Sequence, residues 1–329
     1  MKILVDENIP QAKEAFSSLG EVSFVAGRSI SNSMLKHVDI LLIRSVTKVT
    51  EQLIAGTNIK YIATATAGTD HIDKEYLSRM NIRFDDAAGC NAYSVAEYII
   101  TALSKLFVEN NLEFENKKLG VIGCGNVGSK VARFATTLGF NVLRNDPPLA
   151  RKHDNFQNCS FEEILNCDII TLHVPLNMEG IDKTYHMFSE REFSKLKKDV
   201  VFINAARGEV VETESLRNFI SVNKNSTVLD VWEFEPDFDS KILRNIEIGT
   251  THIAGYSLEG KLNGTKYVYD KLCKFLGVTI TWEPSYPEIA NPIIDSGKAS
   301  SIEQLLNNVT NQIYRIAEDH KLLFDAVDK

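Results

Sequence analysis

The chain has 329 residues, room for about two domains at roughly 150 residues each. Its 36 basic and 44 acidic side chains give a formal net charge of −8, which argues against nucleic acid or an anionic membrane as a partner of the whole chain. With 44% apolar and 24% charged residues the composition is that of an ordinary globular protein, and no apolar run approaches the roughly 20 residues of a membrane span. Any anionic ligand must therefore be met by a local basic cluster. Asp6 and Glu7 interrupt the N-terminus before a secretory signal can form. The five cysteines are odd in number and form no C-x-x-C pair, so reduced thiols, a cytoplasmic location and no metal site are expected.

Short β-branched runs alternate with helical patterns from the first residue. KILV (2–5) reads as a strand and 10–20 as a helix closed by Gly20; DILLI (39–43), YIATAT (61–66) and NIRF (81–84) follow as strands. This alternation predicts a parallel sheet with helices on both faces, and the nearly continuous apolar strands agree. The stretch 92–110 lacks Pro and Gly and repeats Val95, Tyr98, Ile99, Ala102, Leu103 and Leu106 at three- and four-residue steps, the stripe of an amphipathic helix. A second series begins at KLGVIG (118–123) and continues with strands at 141–144, 168–174, 199–205, 226–231 and 245–250. A helix over 257–277 is read as crossing back to the first domain. The region 300–327 carries Ile302, Leu305, Leu306, Val309, Ile313 and Ile316 on one face of a single helix, a stripe expected to be buried against a second subunit. The predicted fold is α/β, with two doubly wound parallel-sheet domains and a short C-terminal dimerisation segment. The expected boundaries are 1–92 with 258–280 for a substrate-binding domain, 93–257 for a dinucleotide-binding domain and 281–329 for the C-terminal segment.

Gly123, Gly125 and Gly128 form a G-x-G-x-x-G motif between a predicted strand and a predicted helix, the context in which the motif holds a dinucleotide. The first glycine makes the turn, the second lets backbone approach a pyrophosphate, and the third lets helix and strand pack. Asp146 ends the next strand about 20 residues further on, the place of the acid that binds the adenosine ribose. A carboxylate there repels a 2′-phosphate, and Pro147 and Pro148 follow it with no adjacent Arg, so NAD is favoured over NADP. Three later strand ends carry Arg207, several carboxylates within 229–236, and His252. An Arg can hold a carboxylate through two parallel bonds, a His can take a hydroxyl proton, and a Glu can stabilise the imidazolium that forms. That set suits oxidation of a 2-hydroxy acid.

The motifs GCGNVG (123–128), HVPL (173–176), INAARGEVV (203–211), LDVWEFEP (229–236) and THIAGY (251–256) together resemble the D-isomer-specific 2-hydroxyacid dehydrogenase family, over residues 1 to about 280. The segments 41–49, 63–73, 89–98 and 251–261 resemble its branch acting on a phosphorylated acid, which implies a flavodoxin-like substrate domain beside a Rossmann NAD domain. The resemblance implies Arg207, Glu235 and His252 as catalytic residues. It implies Asn126, Val127, Asp146, Val174, Ala205, Ala206, Asp230 and Gly255 at the cofactor, with the motif glycines, and Ser45, Thr66 and Tyr256 at the substrate. Arg44 is added here as a nearby cation. The family branch carries a longer C-terminal dimerisation domain than this chain offers, so a homodimer is expected on the resemblance alone. A different D-2-hydroxy acid, or a dinucleotide-sensing corepressor on the same fold, are the alternatives. Among the other histidines, His37, His153, His186 and His320 are expected at the surface, His71 in a structural loop and His173 in packing. Cys124 is expected to fill the glycine turn.

Overall fold

In the computed structural model residues 1–222, 226–289 and 293–327 are described. The chain divides into two compact units: Met1–Asn91 with Tyr256–Glu288, and Ala92–Gly255 with Ile289–Lys329. The helices of ten or more residues are α1 (Ala92–Glu109), α2 (Gly128–Thr137), α3 (Thr213–Val222), α4 (Leu258–Leu276), α5 (Ile302–Ile313) and α6 (Ile316–Val327).

The first unit holds β1 (Lys2–Asp6), β2 (Glu21–Val25), β3 (Ile40–Ile43), β4 (Tyr61–Thr64) and β5 (Arg83–Asp85), all parallel in the order β2-β1-β3-β4-β5. That is the flavodoxin-like order, whose direction of winding reverses between the first and third strands. Alternation sorts the side chains onto two buried faces. Ile3, Val5, Ile40, Leu42 and Ala63 pack with Phe16 and with Val268, Tyr269 and Leu272 of α4. Leu4, Leu41, Ile43 and Ile62 pack with Leu35, Ile54 and Leu77 on the other side. Ser257 caps α4 by accepting the N–H of Gly260 at 2.9 Å, and Gly277 closes it in the left-handed conformation (φ 68°). β2 escaped the sequence reading because EVSFV is largely exposed along this edge and lacks the continuous apolar run of its neighbours.

The second unit holds β6 (Lys118–Ile122), β7 (Asn141–Asn145), β8 (Ile169–Leu172), β9 (Val201–Asn204), β10 (Ser226–Leu229) and β11 (Ile248–Gly249). Their order is β11-β10-β9-β8-β6-β7, again all parallel. Here the winding reverses between β6 and β8, so the residues after Ile122 and Leu172 lie where doubly wound sheets bind ligands. One sheet face packs Leu119, Val121, Ile169, Ile203, Val228 and Ile248 against α1 and α2. The other packs Ile170, Leu172, Phe202 and Leu229 around Phe188, Phe193 and Trp232.

The C-terminal region corrects the sequence reading. It is two helices, not one, because Tyr314 leaves the helical conformation (φ −145°, ψ 116°). The break sends Tyr314 and the fully buried Ile316 into the core alongside Leu306. Buried Glu303 accepts the N–H of Phe114 at 2.7 Å. Part of the apolar stripe is thus covered by the chain itself, while Ile302 and Ile313 stay exposed. Among the described residues no helix is long and apolar enough to cross a membrane, and no group of three or more His, Cys, Asp or Glu side chains is placed to hold a metal ion.

Candidate active site

In the second unit three strand ends build one acid–base group. β9 ends at Asn204, whose side chain accepts the N–H of Ala206 at 3.0 Å and donates to the carbonyl of Arg207 at 2.8 Å. That pair of bonds fixes the turn carrying Arg207. Gly208 lies flat on the next strand end: a Cβ there would sit 2.0 Å from the carbonyl carbon of Trp232 and 2.3 Å from the nitrogen of Glu233. Only a glycine lets the Arg207 turn approach the segment that bears Glu235.

Asp230 follows β10 and is buried. Its Oδ1 accepts the Thr250 hydroxyl at 2.6 Å and the N–H of Ile253 at 2.8 Å; its Oδ2 accepts the N–H of Ala254 at 2.9 Å. These bonds hold the loop after β11, in which His252 adopts φ 59°. A histidine in the left-handed region is unusual and is sustained by such surroundings. Tyr98 of α1 bonds Thr250 from behind at 2.7 Å, and the indole N–H of Trp232 donates to the Thr250 carbonyl at 2.7 Å. Burial raises the Asp230 carboxyl above its ordinary range, against the hydrogen bonds that favour its charge.

His252 Nδ1 lies 2.6 Å from Glu235 Oε1. The hydrogen bond to Glu235 raises the His252 pKa; burial opposes it, the charges of Glu235 and Asp230 add to it, and the charge of Arg207 works against it. Both side chains keep solvent access, 47% for His252 and 37% for Glu235. Glu233, the other carboxylate of this segment, has a different partner: its Oε1 lies 2.6 Å from His186 Nε2, and its Oε2 accepts the N–H of Thr213 at 2.9 Å. His186 is therefore half-buried and paired, not a surface residue. His320 corrects the same expectation, since its Nδ1 accepts the N–H of Gly249 at 2.9 Å.

The glycine motif follows β6 at the winding reversal. Gly123 has φ 83°, and a Cβ there would lie 2.6 Å from the His173 carbonyl oxygen and 2.9 Å from Val174 Cγ1. Gly128 opens α2, and its Cβ would lie 1.9 Å from the Gly123 oxygen. Around Gly125 nothing lies within 4 Å of such an atom. The outer glycines are thus set by packing, and the middle one leaves bare backbone facing open space, the shape a pyrophosphate requires. Asn126 and Val127 complete the turn, and Val127 is the residue capping α2. Cys124 is buried, and burial pushes its thiol up to about 12, so it fills the turn as an unreactive group. Asp146 ends β7, accepting the N–H of Cys124 at 2.7 Å and that of Leu149 at 2.8 Å. It ties the second strand end to the glycine turn and caps the short helix Pro147–Ala150. His173 bonds Thr171 through Nε2 at 2.9 Å, and burial holds its pKa at about 3. Val174 follows β8, Ala205 and Ala206 follow β9, and Gly255 closes this part of the unit.

The substrate candidates lie in the first unit. Arg44 and Ser45 follow β3, and Thr66 lies just beyond β4. The Thr66 hydroxyl is 2.7 Å from that of Thr64, which is 3.2 Å from His71 Nε2. Arg44 Nε lies 3.4 Å from Oδ2 of the fully buried Asp6, at the winding reversal of this sheet. Tyr256 is 67% exposed, and the Lys261 ammonium lies 3.4 Å from its ring centroid. Lys261 and, secondarily, the charge of Arg44 lower the Tyr256 pKa. Asp6 and Lys261 were not singled out from the sequence. A carboxylate ending the first strand of a doubly wound sheet was the available signal for Asp6; for Lys261 there was none beyond its place in a recognisable segment.

The family described as D-isomer specific 2-hydroxyacid dehydrogenase, NAD binding domain, matches residues 103–254. An erythronate-4-phosphate dehydrogenase of Photorhabdus laumondii is 45% identical over 84% of this chain and 74% of its own length. That of Proteus mirabilis is 40% identical over 97% of this chain and 86% of its own length. Among solved structures, the 3-phosphoglycerate dehydrogenase of Entamoeba histolytica with bound NAD+ superposes with a TM-score of 0.71 at 25% identity, covering 84% of this chain and 95% of that one. The D-lactate dehydrogenase of Aquifex aeolicus, complexed with NAD and lactic acid, gives 0.66 at 25% identity, over 84% and 96%.

Proposed function

The chain belongs to the D-isomer-specific 2-hydroxyacid dehydrogenase family, and from that premise we propose that it oxidises 4-phospho-D-erythronate at C2 to (R)-3-hydroxy-2-oxo-4-phosphooxybutanoate, a step of pyridoxal 5′-phosphate synthesis. It is an NAD-dependent dehydrogenase. The observation that carries the reading is the 2.6 Å pair of His252 and Glu235, on a loop held by Asp230 beside the turn of Arg207. Arg207 binds the substrate carboxylate through its planar fork. With Nδ1 committed to Glu235, His252 takes the C2 hydroxyl proton on Nε2, and Glu235 stabilises the imidazolium. NAD, when bound, supplies the acceptor of the hydride that leaves C2. The turn Gly123–Gly128 would hold the pyrophosphate of bound NAD and Asp146 its adenosine ribose, and Val174, Ala205, Ala206, Asp230 and Gly255 would supply the remaining contacts.

Ser45, Thr66 and Tyr256 bind the rest of the substrate; Arg44 is drawn toward Asp6. A homodimer belongs to the same proposal, supported by the exposed apolar side chains of Ile289, Ile293, Ile302 and Ile313, and light scattering tests it. The five free cysteines support a cytoplasmic setting. The deciding experiment is turnover of 4-phospho-D-erythronate against unphosphorylated D-2-hydroxy acids, followed as NADH formation. Preference for the phosphorylated acid supports the reading. Equal rates on all acids point to another substrate, and NAD binding without turnover points to a dinucleotide sensor.

A further inference from the structure

A phosphate dianion approaching a chain of net charge −8 needs a cation whose charge is not already answered. Arg44 is poorly suited. Its guanidinium lies 3.4 Å from Asp6, which is wholly buried, and a buried carboxylate deprived of its cation is strongly unfavourable. Gly27 adds to the constraint: a Cβ there would lie 2.3 Å from Asp6 Oδ2, so the carboxylate is packed in place. Drawing Arg44 toward a phosphate would take the guanidinium from Oδ2 of Asp6 and leave the buried carboxylate to the neutral donors of Asn8, whose N–H its Oδ1 accepts at 2.9 Å.

Lys261 differs on three counts. Among the described residues it has no carboxylate partner within ion-pair distance, in contrast to Lys266 and Lys271 further along α4, which are paired with Asp270 and Asp86. It stands in the first turn of a 19-residue helix, where the backbone dipole disfavours a cation and favours an anion. Its ammonium rests 3.4 Å from the ring centroid of Tyr256, an exposed phenol. A cation set against its helix dipole, and making no described ion pair although Glu259 stands in the same helix's first turn, is a local departure of the kind functional residues show. An anion held by both the ammonium and the tyrosine hydroxyl would restore it.

We propose that Lys261, with the Tyr256 hydroxyl, binds the phosphate of the substrate and sets the preference for phosphorylated over unphosphorylated 2-hydroxy acids, while Arg44 serves Asp6. The proposal rests on the reading of the substrate as a phosphorylated acid.

The test compares wild type, K261Q, K261R and R44Q on 4-phospho-D-erythronate and on unphosphorylated D-erythronate, with inorganic phosphate as a competitor. Removing a charge-assisted bond should raise KM for the phosphorylated acid in K261Q by roughly ten- to a hundredfold, with little change in kcat and none on the unphosphorylated acid. K261R should recover most of the preference, inorganic phosphate should inhibit wild type but not K261Q, and NADH titration and Tm should show K261Q folded. R44Q should lower Tm yet retain the preference ratio. A K261Q enzyme that keeps the wild-type ratio, or an R44Q enzyme that alone loses it, overturns the assignment. A wild type with no preference for the phosphorylated acid overturns the substrate reading itself, and the assignment with it.

Discussion

Thr250 donates its hydroxyl to Oδ1 of Asp230 at 2.6 Å, and the same carboxylate gathers the N–H groups of Ile253 and Ala254, so it holds the chain before and after His252. In the proposed reaction Asp230 would act through His252, as a positioning residue; its charge favours the imidazolium. Asp230→Asn keeps the shape, loses the charge and turns one acceptor into a donor facing N–H groups. Losing bonds to a buried charged acceptor costs about 1.5–3 kcal/mol. Tm should fall accordingly, and the acid limb of the kcat/KM profile for oxidation should move to lower pH. A variant with wild-type Tm and an unmoved limb would show that the carboxylate neither holds the loop nor biases the histidine.

Both sheets were legible from the sequence because buried parallel strands are written as continuous apolar runs, such as Ile40–Ile43 and Ile169–Leu172. A candidate acid–base set was legible because strand ends bearing an Arg, several carboxylates and a His are chemically distinctive. Choosing between Glu233 and Glu235 was not possible from spacing: two residues apart, they diverge to separate histidines only because the chain turns at Phe234, which has φ 66°. The split of the tail at Tyr314 had no Pro or Gly to announce it; tertiary burial of Tyr314 and Ile316 decides it. His186 and His320 lie in polar stretches, yet each bonds a group supplied from far along the chain, Glu233 and Gly249, which local pattern does not reveal.

The glycine turn separates folding from cofactor binding. At Gly125 an added methyl meets nothing within 4 Å, so Gly125→Ala should keep stability within about 0.5 kcal/mol of wild type. The methyl would occupy the approach of the pyrophosphate, so NADH affinity should drop at least tenfold. At Gly128 the methyl would sit 1.9 Å from the Gly123 oxygen, and Gly128→Ala should cost about 1–3 kcal/mol or more. NADH fluorescence titration beside thermal melts reads both. Undiminished NADH binding by Gly125→Ala would remove the turn from the cofactor site.

Asp146 carries a structural load that the ribose argument alone does not include. Asp146→Ala loses the cap on Leu149 and the acceptor for Cys124, about 1 kcal/mol for the cap. Asp146→Ser retains a capping oxygen for Leu149 but removes the charge and the second acceptor, which serves Cys124. Tm should recover in part in the serine variant, whereas the preference for NAD over NADP should narrow in both. Full preference in both variants would mean that another group excludes the 2′-phosphate.

Stability should decline on mild acidification. His320 accepts the Gly249 N–H on Nδ1, a bond available only to a ring unprotonated at that nitrogen, and burial lowers its pKa. His173 is held neutral by burial down to about 3. The unfolded chain takes up these protons near pH 6.5 and the folded chain does not, so the stabilising contribution is complete above that pH and shrinks as pH falls below it. Wild-type Tm should therefore fall between pH 6.5 and 5. His320→Asn, which can still offer an oxygen to Gly249, should show a shallower decline. An identical slope in the variant would assign the acid sensitivity to other groups.

The proposed catalytic pair, His252 and Glu235, makes the sharpest test. Oxidation requires His252 neutral, and reduction requires it protonated. Glu235, 2.6 Å away, raises the pKa of His252 above the usual 6.5 by hydrogen bond first and by charge as well. In Glu235→Gln an orienting bond can survive while the charge is lost, so the pKa falls. The acid limb of the oxidation profile and the alkaline limb of the reduction profile should both move to lower pH. Maximal oxidation should also drop, because the imidazolium forming in the reaction has lost its counter-charge. Glu233→Gln is the control: its carboxylate faces His186 and the Thr213 N–H, so it should disturb that corner of the fold and leave both limbs in place. Measuring kcat/KM against pH in both directions separates the two. Limbs that move for Glu233→Gln and stay for Glu235→Gln would exchange the roles of the two carboxylates and refute the pairing described here.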